Sequence, residues 1–248
     1  MRTNNPVLSR LADAARATAA GSRSGSMTLA GTAGKAFILL AVTTFSAGLT
    51  WQQVAVNPSI LMPALLVGGI GGFILALIAS FRPQSAPITA PLYASLEGIF
   101  LGAVSAMYNA RFAGLPMQAV MLTFAVAAGV FVLYRMGVLR ATEGFKRMIV
   151  AATLGIMLFY LVSFVLSFFN VNIGYFQSTS MIAIGINIAV AAVAALNLVL
   201  DFDRIDEGVR AGAPRQLEWF AAFGLIVTLI WLYLELLRLL SRLQGRRD

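Results

Sequence analysis

The chain has 248 residues, 59% of them hydrophobic and 11% charged, with a mean hydropathy of +0.85. A soluble domain carries about 25% charged residues, so a soluble globular fold is excluded. Disorder, which needs low hydrophobicity and high charge, is excluded as well. The net charge of +8 arises from 18 Lys and Arg against 10 Asp and Glu. The basic residues lie in tails and loops beside apolar runs, which points to membrane topology and anionic lipid rather than nucleic acid. The chain has no Cys and no His. Thiolate chemistry, disulfides, the usual zinc sites and Ser-His hydrolysis are therefore excluded. Any sensing of pH falls to carboxyl groups, and any metal would be a hard cation held by oxygen.

In chain order, residues 1–34 are rich in Ala, Ser, Gly and Thr, with Arg2, Arg10, Arg16 and Arg23. They contain no apolar core long enough for a secretory signal and read as a basic cytoplasmic tail. Residues 35–248 read as a single polytopic domain. Seven apolar stretches follow, at 36–54, 60–81, 91–108, 117–134, 148–169, 180–200 and 219–240. Each is close to the roughly 20 residues that cross a bilayer core. Inside lipid the backbone must satisfy its own hydrogen bonds, so the expected fold is all-α. Trp51, Tyr108, Tyr134 and Trp219 stand at or near span ends, where aromatic side chains anchor. Gly68 with Gly72, Gly98 with Gly102, and Gly185 with Ala189 have the spacing of small residues at close helix contacts.

With the N-terminus inside and seven crossings, thirteen Lys and Arg fall inside and five outside. The basic C-terminus is the poor fit to this arrangement. If the last stretch instead enters and returns, the split becomes seventeen to one. Six crossings with a re-entrant last segment therefore stands as the alternative.

Few residues could carry chemistry. Glu97 lies near the middle of the third stretch, where a charge costs a few kcal/mol, about 2.5 to 3.5 for Asp on the insertion scale. Such groups face a bundle interior or a wet cavity. Asp201 follows an uncharged run reaching back to Arg147 and is the better buried candidate of the pair Asp201 and Asp203. Asp203 reads as an interfacial charge. Glu235 lies within the last stretch, three residues before Arg238, so a local ion pair competes with a functional role. Glu218 precedes Trp219 at the interface. Two carboxyls held together in a low-dielectric interior cannot both ionise cheaply, so such a pair holds a proton and releases it as pH rises. That makes a pH-gated cation site without histidine.

Three segments carry a family resemblance. One is Ala86-Pro87-Ile88-Thr89-Ala90-Pro91-Leu92-Tyr93 running into Leu96-Glu97-Gly98-Ile99-Phe100-Leu101-Gly102. The second is Leu200-Asp201-Phe202-Asp203-Arg204-Ile205, and the third Trp231-Leu232-Tyr233-Leu234-Glu235-Leu236-Leu237-Arg238-Leu239-Leu240. Together they resemble the Bax inhibitor-1 family of integral membrane proteins. Asn5-Pro6-Val7 and the segment from Met27-Thr28 to Lys35 resemble a bacterial branch of it, which implies a bacterial inner membrane. The resemblance implies seven helices with the last at the centre. It also implies a calcium leak regulated by pH through two acidic residues, one on each of the last two helices. Asp201 matches the first and Glu235 the second, where Asp is more common, and Asp203 occupies a position that is commonly Gln. On this reading Asp201 and Glu235 form the pH sensor and a tentative Ca2+ site. Glu97 belongs to the same set, and Asp203, Glu218 and Arg238 are secondary.

Spacing keeps other pairings open. From a helix start near Pro214, Glu235 lies roughly 30 Å along the axis. Glu218 is then an alternative partner for Asp201, and Glu97 for Glu235. The competing function is a membrane regulator of stress, proteolysis or cell death that transports nothing. It would act through protein partners at the basic loop 135–147 and the tails. No enzyme activity and no cofactor other than a transported Ca2+ is expected, and the chain is expected to be a monomer or weak oligomer.

Overall fold

A computed structural model of the chain describes residues 25–169 and 180–246. The tail arginines Arg2, Arg10, Arg16 and Arg23, the Asn5-Pro6-Val7 segment and Arg247 lie outside the described residues. Among the described residues seven α-helices run as α1 Leu29–Val56, α2 Leu61–Phe81, α3 Ala86–Arg111, α4 Leu115–Arg135, α5 Glu143–Phe168, α6 Met181–Arg210 and α7 Leu217–Gln244. All seven are long and apolar enough to cross a membrane, so the fold is an all-α membrane bundle.

Local chemistry starts these helices. The side chains of Thr28, Thr142 and Ser180 accept from the backbone N–H of Gly31, Phe145 and Ala183, capping α1, α5 and α6. Pro58 and Pro83 open single 3-10 turns that lead into α2 and α3. Gly114, at φ +78°, supplies the left-handed residue before α4, and Pro116 follows in that helix's first turn.

The last helix is the centre of the bundle: α7 packs on α1, α3, α4 and α6. Its Phe223, Ile226, Ile230 and Leu237 join the core with α1, α3 and α4, and its Leu232 and Leu236 pack with Leu198 and Val199 of α6. The re-entrant alternative is corrected here. α7 is one unbroken helix of 28 residues, about 42 Å long at 1.5 Å per residue, with no turn at which the chain could double back.

Two of the three small-residue pairs make close contacts. A Cβ on Gly68 would stand 2.6 Å from the Phe100 backbone N of α3, and one on Gly72 would stand 2.6 Å from Glu97 Oε2. On α3, a Cβ on Gly98 would stand 2.5 Å from the Thr43 carbonyl of α1, and Gly102 is similarly tight against Ala47. The third pair does not pack: a Cβ on Gly185 meets nothing within 4 Å, and Ala189 is exposed. Small-residue spacing marks a face without saying whether that face meets protein or lipid.

Residues 25–28 are already part of the folded unit, ahead of the boundary expected at 35. Met27 N–H donates to Ala213 O (2.7 Å) and Arg215 N–H to Gly25 O (2.8 Å), around an antiparallel bridge between Ser26 and Pro214. The segment before α1 is thereby stitched to the α6–α7 connection.

Candidate functional site

The carboxylates expected to act together occupy separate positions along α6 and α7. Asp201 is 7% exposed on α6. Thr228 Oγ1 of α7 stands 2.5 Å from Asp201 Oδ2 and also 3.2 Å from Gly224 O. The other partner is Arg204, one turn on, whose Nη1 is 3.7 Å from Asp201 Oδ1 and whose side chain is mostly exposed.

Glu235 is 1% exposed and has its own set of partners. Tyr160 OH of α5 donates to Oε1 (2.8 Å) and Asn187 Nδ2 of α6 donates to Oε2 (2.9 Å). Arg238 Nη1 donates to both oxygens (3.0 and 3.1 Å) and to Tyr160 OH (2.9 Å), with its guanidinium 5.4 Å over the Tyr160 ring. Asp201 and Glu235 therefore make no contact with each other. Thr228, which meets Asp201, is seven residues before Glu235, or about 10 Å along α7.

The alternative pairings are not formed either. Glu218, 1% exposed at the start of α7, accepts from the backbone N–H (2.9 Å) and hydroxyl (3.1 Å) of Thr28 and is ion-paired with Lys35. It holds the first turn of α1, where a negative charge also suits the helix dipole. Glu97 packs against Gly72 of α2 and has no hydrogen bond or ion pair among the described residues. Asp203 is ion-paired with Lys146 of α5 at 2.7 Å, and Lys146 also holds Glu207 at 2.8 Å, which makes Asp203 part of a charged cluster at the helix ends. Among the described residues no three acidic side chains converge as a metal site, and Asp201 and Glu235 each keep separate partners.

Asp201 and Glu235 differ in chemistry. Glu235 is balanced by a guanidinium, so the cluster around it is close to neutral with the carboxylate ionised. Asp201 has a hydroxyl as its nearest partner, and a hydroxyl both donates and accepts. When Asp201 is ionised, Thr228 donates to it. When Asp201 is protonated, it donates to Thr228, which can turn its own proton to Gly224 O, already 3.2 Å away. The bond survives both states and only the charge changes.

Thr228, Asn187 and Tyr160 were not anticipated from sequence. Asn187 is one of two amides, with Asn197, in the apolar run 180–200, a signal the sequence did carry, and it is 0% exposed. Thr228 and Tyr160 carry no such mark.

Comparison with curated proteins and with solved structures finds no match. The family model described as Bax inhibitor 1 like matches residues 5–245. With that match over nearly the whole chain, and a bundle of seven helices built around the last, the chain belongs to the Bax inhibitor 1 like family.

Proposed function

We propose that the protein is a pH-sensitive cation leak, with Ca2+ as the transported ion and Asp201 as the titrating group. The observation that supports this reading is the neutral hydroxyl partner of Asp201 on the central helix. Loss of a proton there adds a negative charge to the α6–α7 seam without breaking the hydrogen bond, and the one facing cation, Arg204 at 3.7 Å from the other oxygen, is mostly exposed and screened by water. That charge attracts a cation from a low-dielectric surrounding, and acid removes it. Glu235, paired with Arg238, ties α5 and α6 to α7 by hydrogen bonds rather than acting as the sensor. Glu97 is a second carboxylate available to the path. The N-terminus lies on the cytoplasmic side of a bacterial inner membrane, so the basic loop 135–147 faces anionic headgroups there. Arg135 and Arg140 line a polar cleft of about 360 Å³ between that loop and α6, whose Asp203 and Asp206 form its other side.

The test is Ca2+ flux into vesicles carrying the purified protein, with pH stepped from acid to alkaline. Wild type should pass more Ca2+ as pH rises. Asp201→Asn, an uncharged isostere, should give low flux that does not respond to pH. Glu235→Gln should keep the pH response. An unaltered response in Asp201→Asn removes the assignment of the sensor. Absence of flux in wild type removes the leak and leaves the regulator that acts through protein partners.

A further inference from the structure

Helices α1 and α4 both pack on α7 but not to any extent on each other, which leaves a cavity of about 320 Å³ between them. Its floor is made by Leu101 of α3 with Ile226 and Ile230 of α7, all buried. Its mouth includes Gly48 of α1 with Met117 and Phe124 of α4. Met117 and Phe124 are exposed, so the mouth is continuous with the outer apolar face of the bundle, where Phe45 and Met121 are exposed too. The cavity therefore opens sideways, at the height of the spans, into hydrocarbon.

No charged residue lines the cavity. Its buried hydroxyls are already satisfied. Thr43 donates to Leu39 O (2.9 Å), Thr123 to Ala119 O (2.7 Å) and Ser105 to Leu101 O (2.6 Å), while Tyr233 OH is 2.7 Å from Ser105 Oγ. Each of these hydroxyls has spent its only proton, so they offer a water acceptors but no donor. The volume is at the lower end of the roughly 300–1,000 Å³ of small-molecule sites, and an empty void would forfeit the dispersion contacts of its lining.

We propose that the cavity is a binding site for one acyl chain of a bilayer phospholipid, which enters between α1 and α4 and lies against α7. The chain takes the place of the missing α1–α4 contact. It braces the face of α7 that carries Ile226 and Ile230, while Thr228 and Glu235 meet α6.

The full chain is reconstituted in phosphatidylcholine vesicles doped with a phospholipid bearing a photoactivated diazirine midway along one acyl chain, and labelled residues are mapped by mass spectrometry. Annular lipid reaches only exposed residues such as Phe45 and Met121. An inserted chain also labels Leu101, Ile226 or Ile230. The companion variant is Gly48→Phe, since a Cβ at Gly48 meets nothing within 4 Å. The added ring should occupy the mouth and abolish floor labelling while labelling of Phe45 and Met121 persists. Labelling confined to exposed residues in wild type overturns the proposal. So does floor labelling that is unchanged in a folded Gly48→Phe protein. The wild-type result stands whether or not the variant folds.

Discussion

Two parts of the bundle are held together by opposite means. The α1–α2–α3 unit is packed backbone against backbone: Gly68 and Gly72 bring α2 onto α3, and Gly98 and Gly102 bring α3 onto α1. By contrast α5 buries only Ile149 and Ser163 and packs chiefly on α6. Three polar side chains attach it, and they fall at seven-residue intervals, two turns apart on one stripe. Lys146 meets Asp203 and Glu207, Thr153 accepts from Asn197 (2.8 Å), and Tyr160 meets Glu235 and Arg238. Lipid tails are as apolar as leucine, so no hydrophobic force drives membrane helices together. Close packing of small residues and hydrogen bonds between helices are the two substitutes, and this chain uses one on each side of α7. The first tolerates no added atom. The second can open one bond at a time, which makes α5 the helix best able to shift beside the carboxylates.

The largest effect should come from the packed side. Gly98→Leu puts a Cβ 2.5 Å from a backbone carbonyl that cannot rotate away. Overpacking costs typically about 1–3 kcal/mol and occasionally more, and with a backbone carbonyl in the way the variant should fall at the upper end and unfold well below wild type in a thermal scan in detergent. Gly185→Leu, in open space, should stay within about 0.5 kcal/mol of wild type. A Gly98→Leu protein as stable as Gly185→Leu would break the comparison at its stronger half. On the polar side the largest single effect should be Tyr160→Phe. It removes one hydroxyl shared by Glu235 and Arg238, worth about 1.5 kcal/mol for a bond to charged groups. The loss should appear as faster amide exchange in α5 with little change in α1–α3. Uniform loosening of all helices would mean that α5 is not separately attached.

Seven apolar runs and two of the three small-residue pairs were legible because hydropathy and small-residue spacing report on lipid and on backbone approach, while charge counting left six or seven crossings open. Helix ends were not. α3 starts at Ala86 rather than 91, and α6 runs to Arg210 rather than 200, since hydropathy marks the bilayer and helices continue past it. That error hid the partner of Asp201. The connection from α6 to α7 is six residues long, turned by Gly212 at φ +64°. Asp201 lies nine residues before the end of α6, and an equal climb from Leu217 reaches Ile226, half a turn from Thr228. Matching a family motif pointed to Glu235 instead, because a motif fixes residue type and the antiparallel register fixes who meets whom. Asp201 was found as a buried carboxylate, and Glu235 with Arg238 as a local pair. The cross-helix ties from Tyr160 and Asn187 depend on tertiary register and leave no periodic trace.

The remaining attachments of α5 should be weaker in order of exposure. Thr153→Val removes one neutral interhelical bond, worth about 0.6 kcal/mol on average in a membrane, and should be seen only as modestly faster exchange around the middle of α5. Lys146 is the weakest pin despite facing three carboxylates, Asp203, Glu207 and Glu143, because Glu207 and Glu143 are largely exposed. Exposed pairs are screened, so salt separates them from the other two pins. Raising salt from about 0.01 M to about 1 M shortens the Debye length from about 30 Å to about 3 Å. In wild type this should speed amide exchange in the first turns of α5 and leave the turns around Thr153 and Tyr160 unchanged. Lys146→Met should show the faster exchange already at low salt and respond no further. An equal salt response in both proteins would place the first turns of α5 outside the control of this cluster and leave Thr153 and Tyr160 as the only polar attachments.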